Sequence, residues 1–135
     1  MIVQNIELRD WDWSVLVFYD TKERDADSIL LYLEMSGCAG RSLRRAERNL
    51  RSGLKDTGLT YTNPTLRETV VVIGSTNSPE QFWNTLDHEK GHVVMHIAGA
   101  IGLDHESEEY QYLSGALGQE MYPAARMFIC ERCNR

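Results

Sequence analysis

The sequence predicts an α+β domain, a small, mainly antiparallel sheet with helices packed on one face. Three observations carry that expectation. Segments rich in β-branched and aromatic residues come in two pairs, one near the start of the chain and one in its middle. Segments with apolar residues three and four apart follow each pair. At 135 residues the chain is long enough for one core and too short for a second sizeable domain. Residues 1–125 read as that single domain and residues 126–135 as a C-terminal tail.

The elements follow in order from period and punctuation. Residues 3–9 and 13–19 read as strands joined by a polar turn at Asp10 to Asp12. Residues 26–35 read as a helix with Asp25 as cap and Ile29, Leu30 and Leu33 turned inward, ended by Gly37. A second helix over residues 40–55 has partial apolar spacing through Leu43, Ala46 and Leu50. Its other face is basic, with Arg41, Arg44, Arg45, Arg48, Arg51 and Lys55. Residues 59–62 and 66–73 form a second strand pair around Asn63-Pro64, where proline forbids a continuous central strand. Ser78-Pro79-Glu80-Gln81 then supplies a capping serine, proline at the first helical position and glutamine at the capping-box position, so a helix begins near Pro79. Phe82, Leu86, Val93, Ile97 and Ile101 give it one buried side, and Gly99 and Gly102 mark its end. A last helix carries Tyr110, Leu113, Leu117 and Met121 on its apolar face.

The helix that begins near Pro79 contains His88-Glu89-Lys90-Gly91-His92, an HExxH segment. Four positions separate the histidines, which places them one turn apart on one face, able to offer two imidazole nitrogens to one zinc ion. Glu89 falls on the neighbouring part of the turn, where a carboxylate can take a proton from water activated by the ion. A hydrolytic zinc wants a third protein ligand and an open position. His96 continues the spacing, but lies about 12 Å along the axis from His88, against bonds of about 2 Å. It reads as a residue lining the site or as a core histidine. The acids Asp104, Glu106, Glu108 and Glu109 open the last helix and are better placed. Helical projection sets Glu106 and Glu109 on the side of Leu113 and Leu117, although projection is weakest at a helix start. Acids in a first turn also have a purely structural use, as complements to the helix dipole.

These residues resemble a family. HEKGH, followed after a short connection by a glutamate-bearing helix of the form Glu-Glu-Tyr-Gln-Tyr-Leu-Ser-Gly, is similar to compact zincin-like metallopeptidases of phages and mobile elements, the gluzincin type of HExxH enzyme. The resemblance covers roughly residues 70–121. It implies that His88, His92 and a glutamate of the next helix bind Zn2+ while Glu89 acts as base. The third ligand then maps to Glu108, with Glu109 as the fallback. His96, His105, Tyr110 or Tyr112 would donate to the oxyanion, and a strand edge would align a peptide or protein substrate.

Composition bounds the alternatives. A net charge of −6 argues against bulk binding to nucleic acid, while the basic helix from Arg41 to Lys55 offers a contact for a partner. No run approaches the length needed to cross a membrane and the start lacks a basic region followed by an apolar stretch, so a cytoplasmic protein is expected. Three cysteines do not make a disulfide framework, and Cys130 and Cys133 form a lone CxxC pair. The competing reading is a phage or mobile-element interaction protein in which zinc only braces the fold and the basic helix binds the partner.

Overall fold

The computed structural model describes residues 1–130. Two hairpins lie side by side: β1 (Ile2–Leu8) with β2 (Trp13–Thr21), and β3 (Gly58–Asn63) with β4 (Glu68–Gly74). The sheet order is β1-β2-β4-β3, so β2 and β4 meet in the middle as a parallel pair and the other two pairings are antiparallel. Helices α1 (Ala26–Met35) and α2 (Gly40–Arg51) connect the hairpins, and α3 (Pro79–Ile101) and α4 (Glu108–Ile129) complete the chain. The α+β class and the mainly antiparallel sheet are as the sequence predicts.

The expectation of helices on one face is corrected: they cover both. Trp13, Val15, Val17 and Tyr19 of β2, with Val71 and Ile73 of β4, pack under α3 and α4. The alternate residues Phe18, Val70 and Val72 pack with Ile29, Leu33 and Leu50 of α1 and α2. Central strands with apolar residues at both parities need both faces covered. Phe18, Val70 and Val72 are at most 2 % exposed, and leaving three such side chains in water would cost about 5–9 kcal/mol. That approaches the whole stability of an ordinary domain.

The boundary at residue 125 also moves. Helix α4 continues to Ile129, because Phe128 sits 4.9 Å from Phe82 and 6.1 Å from Tyr19 between ring centres. Cys130 follows that helix, and Cys133 lies outside the described residues.

Candidate metal centre

Helix α3 is fixed at both ends and along one side. The Ser78 hydroxyl accepts from the Gln81 N–H at 3.1 Å, and Gly102, at φ +72°, closes the far end with its N–H on the Ala98 carbonyl. Phe82, Leu86, Val93, Val94 and Ile97 are buried against the sheet and α4, which sets the rotation of the helix. Glu89 and His96 then meet β3: the Thr60 hydroxyl donates to Glu89 Oε2 at 3.2 Å, and Thr62 Oγ1 lies 2.9 Å from His96 Nδ1.

The two histidines of the motif converge. Their Nε2 atoms are 3.1 Å apart with ring planes at 82°, and ligand atoms of His88, Glu89 and His92 all fall within 4.8 Å of one another. His88 is exposed, His92 half-buried, and Glu89 only 4 % exposed under β3. Burial raises the Glu89 carboxyl above its ordinary pKa, and this outweighs the opposing effects of His92, the Thr60 hydrogen bond and His88. Burial, then the neighbouring His92, holds the His96 ring below the usual imidazole value.

Glu108 does not join this group, nor do Glu106 and Glu109. The reason is the face of α3 that meets α4. Lys90, about 200° round the helix from His88, donates to Ser114 at 2.9 Å and its stem packs beside Gly118. So α4 lies on the Lys90 side, with β3 on the side of Glu89 and His96. Glu108 is also six to ten residues, about 9–15 Å, further along α4 from that contact. Ser107 caps the helix by accepting from the Tyr110 N–H, and Glu108 and Glu109 occupy the first turn, where they complement its dipole. His105 and Tyr110 pack together beside the same turn, Tyr112 is exposed on α4, and of the four oxyanion candidates only His96 meets β3.

Sequence reading missed the threonines. Thr60 and Thr62 alternate on β3 toward α3, and the period of two in Gly58-Leu59-Thr60-Tyr61-Thr62-Asn63 was the available signal. The link from Thr62 through Thr69 to Trp13 joins residues distant in sequence and has no local signature. The chain matches no protein-family model, no curated protein and no solved structure.

Proposed function

We propose that the chain is a zinc-dependent peptide hydrolase of the HExxH type acting on extended peptide or protein segments. The observation that carries this reading is the 3.1 Å approach of the His88 and His92 nitrogens with the Glu89 carboxyl in the same cluster. Two nitrogens on one tetrahedral ion, each at about 2.0–2.1 Å, lie about 3.3 Å apart, so the pair fits two positions of a zinc ion. With Glu89 as base, the cluster holds no third protein ligand among the described residues, and water or substrate would take the other positions. When bound, zinc supplies a Lewis acid that lowers the pKa of water and polarises a carbonyl.

The chain's own part is proton transfer and alignment. Thr60 occupies Oε2 of Glu89 and leaves Oε1 to take up a proton, later returned to the departing amine. Burial makes that carboxylate a better proton acceptor than an exposed glutamate. Strand β3 is an edge of the sheet beside α3 and pairs with β4 alone among the described residues, so an extended substrate can add to it through backbone hydrogen bonds. No helix among the described residues is long and apolar enough to cross a membrane.

Zinc content and peptide hydrolysis test the reading together, on protein purified without chelators or a histidine tag. About one zinc per chain is expected in the wild type and in Glu89→Gln, with zinc lost in His88→Ala and hydrolysis lost in both variants. Loss of zinc from Glu89→Gln would make Glu89 a ligand and leave the centre without a base. No zinc after addition of the metal would overturn the hydrolase reading entirely.

One observation favours the interaction protein as a second reading. Arg41, Arg44, Arg45 and Arg48 are exposed on α2 and form no ion pair among the described residues, whereas Arg51 pairs with Asp27 and Glu47. Under that reading Glu89→Gln changes neither zinc content nor partner binding.

A further inference from the structure

The hydrogen bonds running from Trp13 to His96 have one consistent direction. The Trp13 indole N–H can only donate, and it meets Thr69 Oγ1 at 2.9 Å inside the core. Thr69 has one other side-chain partner, Thr62 Oγ1 at 2.9 Å, its cross-strand neighbour, so the Thr69 hydrogen goes there. Thr62 keeps its own hydrogen to give, and among the described residues its one other side-chain partner is His96 Nδ1 at 2.9 Å, which we assign as the acceptor. A nitrogen that accepts carries no proton, and the proton of the neutral ring is therefore on Nε2. The reverse order would leave the hydroxyl hydrogen of Thr69, a residue 1 % exposed, without an acceptor.

The geometry points to His96 as a substrate-binding donor, its Nε2–H offered along β3 to a carbonyl of a bound extended peptide and withheld from the metal. His96 lines an open groove of about 410 Å³ with Thr60, Tyr61, Thr62, Pro64 and Ala100. The spacing identifies which carbonyl. Thr60 marks the level of Glu89 and Thr62 the level of His96, so the two polar stations are two strand residues, about 7 Å, apart. A peptide paired with β3 repeats at that spacing. With its reacting carbonyl at Glu89, the carbonyl two residues along meets His96. His96 is thus a positioning residue outside the oxyanion site. The identity of the reacting carbonyl rests on the hydrolase reading; the proton on Nε2 and the peptide contact do not.

Ring-nitrogen NMR correlation spectra of the metal-free full chain test this, with the His96 signals assigned by His96→Gln and capped penta-alanine as the probe. The wild type should show the Nε2–H form of His96, and Thr62→Val should release it to a mixture of tautomers. Penta-alanine should shift the His96 Nε2–H together with β3 amides, and His96→Phe, which keeps a ring but has no donor, should weaken its binding roughly 2- to 12-fold, as loss of one neutral hydrogen bond does. An Nδ1–H form in the wild type, an unchanged tautomer in Thr62→Val, or no peptide response at His96 overturns the proposal. So does loss of the Nε2–H when zinc is added. Zinc that leaves His88 and His92 unperturbed, with the peptide response at His96 intact, supports the donor and counts against the hydrolase reading alone.

Discussion

Replacing Gly58 by alanine puts a methyl group where β3, its partner strand and Glu89 already touch. The added carbon would lie 2.5 Å from the Val72 carbonyl oxygen and 2.9 Å from Glu89 Cγ, where ordinary contact begins near 3.4 Å. The Val72 oxygen belongs to the sheet backbone and cannot swing away, so the strain falls on β3 and the Glu89 side chain. Overpacking of this kind costs about 1–3 kcal/mol, offset by about 0.4–1 kcal/mol from the stiffer unfolded chain. A net loss of about 1–2 kcal/mol is expected. With about 2.1 cal/mol/K of unfolding entropy per residue, this lowers the Tm of a 135-residue domain by about 4–7 °C. Gly91→Ala is the internal control. It sits on the exposed side of α3 with no atom within 4 Å of the added carbon, and should raise stability by about 0.5–1 kcal/mol, roughly 2–4 °C. Thermal melts followed by circular dichroism in a chelating buffer read both. A Gly58→Ala protein that melts at or above the wild type would refute the close packing of Glu89 beneath β3.

Three further outcomes follow from the packing and the buried polar groups. Leu117→Ala removes a fully buried side chain from the core that α4 shares with α3, and urea denaturation should show a loss of about 2–5 kcal/mol. Thr69→Val leaves the buried Trp13 N–H without its acceptor and should cost about 1–3 kcal/mol; adding Trp13→Phe should not add its full separate cost, because both partners are then gone. For Glu89 the folded pKa lies above the ordinary value, so its contribution to stability is fully present below about pH 4.5 and is lost as pH rises through the folded value. Metal-free Glu89→Gln should therefore melt above the wild type at neutral pH and converge with it toward pH 4, and parallel Tm-against-pH curves would contradict the burial of this carboxyl.

The parts of the fold that were legible in the sequence are those with local causes. The start of α3 at Pro79 and its end at Gly102 follow from capping chemistry, and α1 occupies the residues its spacing predicts, 26–35. The Asp25 side chain is an exception in detail: it accepts from the Lys22 N–H in the preceding 3-10 turn and does not cap α1. The parallel contact of β2 with β4 has no local cause, since the residues that meet lie more than 50 positions apart. The continuous apolar runs from Val15 to Tyr19 and from Val70 to Ile73 did signal strands buried on both faces, and alternation alone obscures that signal. In the candidate centre, His88, Glu89 and His92 come together because one helix turn suffices to place them. Glu108 is different, because its position depends on which side of α3 faces α4, and Lys90 rather than a histidine takes that side.

The run Val70-Val71-Val72-Ile73 leaves β4 with a problem that hydrophobicity does not solve. Because both faces of the strand are buried, sliding it by one residue against β2 would still place an apolar side chain in nearly every core position. The alignment is decided at the two ends. Thr69 is the residue whose hydroxyl receives the Trp13 indole, and after a slip a valine or glutamate would stand there. Gly74 passes so close to the Leu54 backbone that a residue with a side chain does not fit without movement. One polar contact and one bare backbone thus act as the two pins of a strand whose middle is indifferent to its setting. Because Thr69 also holds Thr62, the same pin fixes how far along α3 the threonines of β3 meet Glu89 and His96.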